Sequence, residues 1–151
     1  MSWLSNHQIE EAINRLGDND CCLAFKGVYP IDLLPELDTK PPHFIILNTD
    51  SHNLPGQHWK VLFIDENYCG EVFDSLALPL SDSVIRFMNK HSRKWIKNSQ
   101  MYQHPLSMQC GAYVVYYVTQ RLYYSTLHEF CKTFSLNVTE NERLIAKFYK
   151  Q

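Results

Sequence analysis

A chain of 151 residues that is 45% hydrophobic and 13% aromatic can build one domain with a real core, and is too short for two of ordinary size. With 14 Lys+Arg against 16 Asp+Glu the formal net charge is −2, which argues against a protein whose main work is to coat nucleic acid. No apolar run approaches the ~20 residues that span a bilayer, and Met1-Ser2-Trp3-Leu4-Ser5 lacks the basic and apolar regions of a secretory leader, so a soluble single domain over residues 1–151 is expected.

In chain order, Ser5 with Gln8 three residues on forms a capping-box pattern, followed by Ile9, Ala12, Ile13 and Leu16 at helical spacing and a stop at Gly17. The stretch Phe25–Pro35 is too rich in Gly and Pro for regular structure yet unusually apolar, which suggests a loop pinned across a surface. His43–Asn48 reads as a buried strand, and polar Thr49–Gln57, with Pro55-Gly56, as a loop. Trp59–Ile64 and Glu71–Phe73 read as a hairpin about the turn Asp65–Gly70. Ser81 caps a helix with Val84, Ile85, Met88 and His91 on one face, and Trp95-Ile96-Lys97 suits another strand. Cys110–Val118 is apolar all round, so periodicity alone fits a long strand or a buried helix. The lack of charge from Cys110 to Gln120 and of Gly or Pro from Ala112 to Tyr124 favours a central helix. Two shorter helices follow, one around Leu127, Phe130, Cys131 and Phe134, the other capped by Thr139 with Glu142 and carrying Leu144, Ile145 and Phe148. The sum is an α+β domain, with a small, mostly antiparallel sheet between terminal helices.

Five cysteines (Cys21, Cys22, Cys69, Cys110, Cys131), one adjacent pair and otherwise wide gaps, do not make a disulfide framework, and no CxxC or paired HxxxH marks a zinc site. In a reducing compartment a cysteine can serve as a nucleophile. His58 enters a strand, Asp74 ends its hairpin partner, and Cys110-Gly111 opens the central helix after Gln103. A free thiol titrates near 8.5, and a helix N-terminus with an imidazolium can lower that to roughly 3.5–7.5. His58 would take and return the proton, Asp74 would orient its ring, and Gly111 would keep bulk away from the nucleophile. The Gln103 side-chain amide would donate to an oxyanion, a contact worth about 3–4 kcal/mol. Taken singly, each residue has a plainer reading: a surface histidine, a turn aspartate, a cysteine used as a small hydrophobe.

Together, His58-Trp59, Asp74, Gln103 and Cys110-Gly111 resemble the adenain-type (adenovirus maturation) cysteine proteases and their clan, which includes the SUMO-specific proteases. The resemblance covers roughly residues 5–125 and implies a papain-like/adenain-like fold, a central helix against a small sheet with flanking helices. The seven-position step from Gln103 to Cys110 is as in adenain-type enzymes, and Gln109 stands where SUMO proteases carry Asp. Asp74-Ser75-Leu76 looks more like the SUMO-protease version. The resemblance implies a monomeric endopeptidase of viral or virus-like-transposon type, cleaving capsid or core precursors near a glycine, in the virion and in the host nucleus or cytoplasm during assembly. Trp59 would border the site, with Gly27 and Val28 on one wall of the substrate groove. No metal or obligate cofactor is implied. DNA and a short viral peptide are the activators the resemblance brings, although net acidity speaks against DNA and Lys90, Arg93, Lys94 and Lys97 read as a solvated face. The alternatives are removal of a ubiquitin-like modifier with the same triad, or a non-catalytic interaction module.

Overall fold

The computed structural model describes residues 4–49 and 58–150. The chain opens with α1 (Asn6–Leu16), whose capping box closes as expected: the Gln8 N–H donates to Ser5 Oγ, and the Ser5 N–H to Gln8 Oε1. A short helix not anticipated, α2 (Asn19–Ala24), follows at once, capped by Asp18, which accepts from the Cys21 N–H. The strands are β1 (Phe25–Pro30), β2 (His43–Asn48), β3 (Trp59–Ile64), β4 (Cys69–Phe73) and β5 (Lys94–Lys97), with α3 (Asp82–His91) between the last two. Then come α4 (Cys110–Gln120), a 3-10 turn (Arg121–Tyr123), α5 (Leu127–Cys131) and α6 (Val138–Tyr149).

The strands lie in sequence order, β1-β2-β3-β4-β5. The two central pairings are antiparallel, as expected, but both outer ones, β1 with β2 and β4 with β5, are parallel. The connections explain this: residues 31–42 return the chain to the start of β2, and α3 forms a crossover from β4 to β5. Phe25–Pro30 is therefore a strand and not the loop its composition suggested. Gly27 takes φ 120° where the register slips between Phe25 and Val28, and Pro30 ends a strand bonded only to β2, so its lacking N–H disrupts nothing. The expected Thr49–Gln57 loop lies outside the described residues except for Thr49, whose N–H donates to the His58 carbonyl. The last helix starts earlier than expected, because Asn137 and not Thr139 is its cap.

Strand alternation divides the interior into two cores. Phe44, Ile46, Trp59, Val61, Phe63 and Phe73 face α1, α4, α5 and α6, whereas Ile45, Leu47, Leu62, Ile64 and Val72 face Val84, Phe87 and Met88 of α3. Phe87, rather than the half-buried Ile85, completes that helix face. Helices packed on either side shield both faces of the central strands from water, which is why β2 and β3 carry almost unbroken apolar runs.

α4 is buried from Cys110 to Thr119. Its far end is fastened to β4 by a carboxylate: Glu71, 7% exposed, accepts from Arg121 Nε (2.6 Å), from Arg121 Nη2 (2.8 Å) and from the Tyr117 hydroxyl. The guanidinium also lies 5.6 Å from the Phe63 ring centroid. Arg121→Met alone strands the buried Glu71 charge and should cost about 3–5 kcal/mol, whereas pairing it with Glu71→Leu should recover most of the loss; urea unfolding of the three proteins checks this.

Candidate active site

The parallel pairing of β4 with β5 brings the residues just beyond both strands side by side, and Asn98 uses this to fix Asp74. The Asp74 N–H donates to Asn98 Oδ1 (2.9 Å), and Asn98 Nδ2 donates to the Asp74 carbonyl (2.7 Å). The antiparallel β3 delivers His58 to the same corner, with His58 Nε2 2.6 Å from Asp74 Oδ1. That oxygen also accepts the Leu76 N–H, while Oδ2 accepts the Leu78 N–H (3.0 Å) and lies 3.3 Å from Lys60 Nζ. Burial raises the carboxyl pKa, but the His58 hydrogen bond and charge, Lys60 and the Leu76 N–H outweigh it and hold the group below its ordinary value. A carboxylate can only accept, so His58 directs an Nε2 proton at Asp74 and leaves Nδ1 outside that contact.

Glu71, three residues upstream on the same strand, is committed to Arg121 and Tyr117, so Asp74 is the acid that meets the histidine.

Cys110 occupies the first position of α4 and is 1% exposed. The backbone N–H groups of Trp59, Gly111 and Cys110 direct hydrogen bonds at its sulfur, and Asp74 acts on it through its charge, so the thiol sits at the corner where β3 begins. The depressed pKa expected from sequence is not what this environment produces. Burial pushes the thiol up to about 11, the three amides offset only part of that, and Asp74 adds to it.

Gln103 is 1% exposed and held from both ends. Ser75 Oγ donates to its Oε1 (2.6 Å), and its Nε2 donates to the Ser107 carbonyl (3.0 Å). A carbonyl cannot donate, so the atom facing Ser107 is nitrogen, and the amide is set with one N–H used and a second left to give. Ser75 also binds the backbone, its carbonyl accepting the N–H groups of Tyr102 and Gln103.

The remaining sequence candidates are placed differently. The Trp59 side chain is 2% exposed in the core, with its indole N–H donating to Asn6 Oδ1 (3.2 Å), and its backbone N–H is what reaches the thiol. Gly111 is buried beside Leu4: a β-carbon there would lie 3.0 Å from the leucine Cβ and Cδ1, tighter than ordinary packing, so the leucine would have to give by a few tenths of an ångström. Gly27 and Val28 sit on β1, but the register sets Pro30, not Gly27, level with Asn48 and Trp59, and Gly27 lies roughly 10 Å further down the strand. Sequence reasoning missed Lys60, Asn98 and the bridging role of Ser75. Lys60, 5% exposed, left a signal, since a lysine inside the apolar run Trp59–Ile64 needs a buried counter-charge.

Scans against protein-family models and curated proteins each found no match. Among solved structures, two crystal structures of the ASFV pS273R protease superpose with a TM-score of 0.68. The fold is shared with that protease. At 20% and 19% identity they cover 98% and 99% of this chain, which spans 66% and 65% of theirs. The central domain of the uncharacterized Lpg1148 protein from Legionella pneumophila is similar at a TM-score of 0.52 and 13% identity, over 99% of this chain and 95% of that one. The likeness bears out the adenain-like, α+β fold expected from sequence. Among the described residues no helix is long and apolar enough to cross a membrane.

The thiol environment makes a pH-dependent prediction. With the group near 11, alkylation of Cys110 by iodoacetamide should climb about tenfold per pH unit from pH 6 toward 10. Mass spectrometry of the Cys110 peptide reads this, and a rate already level from pH 6 would mean the thiolate is present at rest.

Proposed function

We propose that this chain is a cysteine endopeptidase of viral or virus-like-transposon type, cleaving capsid or core precursor proteins during virion maturation. The observation that carries the reading is the buried 2.6 Å contact between His58 Nε2 and Asp74, which frees Nδ1 to serve the thiol at the head of α4. The fold shared with the pS273R protease supports it.

The reaction follows from the groups available. Cys110 Sγ bonds to the scissile carbonyl carbon while its proton passes to His58 Nδ1. The thiol rests protonated, so transfer of its proton accompanies attack rather than preceding it. The second N–H of Gln103 and the backbone N–H of Cys110 take the oxyanion. As the carbon–nitrogen bond breaks, His58 returns the proton to the leaving amine. Water, deprotonated by the same ring, then hydrolyses the thioester and restores the thiol. Asp74 stays ionised throughout, steering the ring and stabilising the imidazolium. No cofactor enters the scheme, and the virion and the assembling host cell are its expected compartments.

The same machinery could release a ubiquitin-like modifier, a second reading favoured by Asp74, rather than Glu, as the acid. Incubation with precursor capsid proteins and, separately, with modifier fusions discriminates the two. Cys110→Ala should abolish cleavage of the true substrate with an unchanged circular dichroism spectrum. Asp74→Asn should lower kcat by about 10²–10⁴-fold and Gln103→Ala by about 10²–10³-fold. Full activity in Cys110→Ala would move the chemistry elsewhere, and a parent protein that cleaves neither class of substrate would leave the chain a non-catalytic module.

A further inference from the structure

A side-chain amide can serve an oxyanion only if the backbone beneath it is fixed. The segment 98–109, which carries Gln103, belongs to no helix or strand, so its position rests on bonds made to other parts of the chain. The Tyr102 carbonyl and the Gln103 N–H are the two ends of one planar peptide group. Its N–H donates to the Ser75 carbonyl (3.0 Å), and its carbonyl accepts from Asn141 Nδ2 (3.1 Å), on α6 and 39 residues further along the chain. A rigid plane held at both ends cannot turn, and the direction in which Gln103 leaves the backbone is set with it.

Asn141 is 1% exposed and its own orientation is fixed. Its Oδ1 accepts the Ser135 N–H (2.7 Å), and Nδ2 donates to the Ser135 carbonyl (2.8 Å) as well as to Tyr102. The atom facing two carbonyls must be nitrogen, and both of its protons are used. The Tyr113 hydroxyl also lies 3.3 Å from the Tyr102 oxygen, but it has one proton, and the Glu142 carboxylate at 2.6 Å is the stronger acceptor. Asn141 is therefore the donor on which this carbonyl depends. A buried asparagine is often no more than a tie between loops. This one ends on the peptide that bears Gln103.

We propose that Asn141 is a positioning residue for the oxyanion donor: by gripping the Tyr102–Gln103 peptide from α6, it keeps the unused N–H of the Gln103 amide aimed at the developing oxyanion. The proposal rests on the proteolytic reading and adds to it a residue that touches no reacting atom.

Steady-state kinetics on the peptide that the parent protein cuts fastest in a random octapeptide library reads the effect. Asn141→Leu, close in size and without a donor, should lower kcat about 10- to 100-fold and change KM no more than about twofold, because the donor is used in the transition state. In the Gln103→Ala background the same substitution should lower kcat no more than about twofold further. Alkylation of Cys110 by iodoacetamide, which builds no oxyanion, should keep its rate within about twofold. An equal drop in both backgrounds, a change confined to KM, or an unchanged kcat overturns the proposal and leaves the protease reading standing. Asn141→Ala takes the same place in every arm if Asn141→Leu fails to fold. Amide hydrogen exchange followed by NMR needs no substrate. The Gln103 N–H should exchange about tenfold or more faster in the variant, while those of Val114 to Val118 in α4 keep their rates. That result upholds the grip on Gln103 even if the parent protein cleaves nothing. Unchanged exchange at Gln103, or an equal acceleration along α4, overturns it.

Discussion

A carboxylate with almost no water around it must find counter-charge and donors within the protein, and Glu71, in the middle of β4, finds both on one helix. Arg121 grips its two oxygens and the Tyr117 hydroxyl joins them, so the end of α4 is registered against a particular residue of the sheet. The Coulombic gain of such a pair is largely spent on desolvation. What it contributes is position, because a helix apolar all round could otherwise slide or rotate against β3 and β4 at little cost. With α4 fixed at its last turn, its first residue, Cys110, falls where β3 begins.

The opposite corner is organised by a second buried carboxylate in a different manner. Asp74 takes its donors from two backbone amides, a lysine and an imidazole, while Asn98 holds its backbone from the next strand. An acid so well satisfied remains charged, and that charge acts on both neighbours. It holds the His58 ring by Nε2, leaving Nδ1 outside that contact, and it disfavours a negative sulfur at Cys110. Burial pushes the thiol the same way. In this environment the sulfur is held as the thiol.

Much of this was legible in the sequence because it obeys local rules. The capping box at Ser5, the apolar runs of β2 and β3 and the uncharged stretch after Cys110 each identified an element on its own. His58, Asp74, Gln103 and Cys110 stood out as types that chemistry needs, in a workable order. What escaped depended on partners far along the chain. Phe25–Pro30 became a strand because β2 offered a parallel edge, and a glycine with positive φ absorbed the mismatch. Both parallel edges follow from long connections, which hairpin signals do not encode. Asn98 and Ser75 owe their roles to the juxtaposition of strand ends, and no composition or spacing announces that. The thiol pKa was misjudged because the helix terminus is a local feature, whereas burial is set by everything packed around it.

Gly111 shows how one residue can satisfy packing and chemistry together. The Cys-Gly pair invited an explanation from catalysis alone, in which a missing side chain opens space before the nucleophile. The space is in fact filled by Leu4, whose Cβ and Cδ1 would lie 3.0 Å from any added β-carbon. Contact that close seats the start of α1 against the first turn of α4, and the Asn6 carbonyl oxygen of the side-chain amide accepts the Trp59 indole N–H from the same place. The indole is thereby held in the core and its backbone N–H is left aimed at the sulfur. Through Asn6 the amino-terminal segment thus becomes part of the support of the site although it contributes no reacting group.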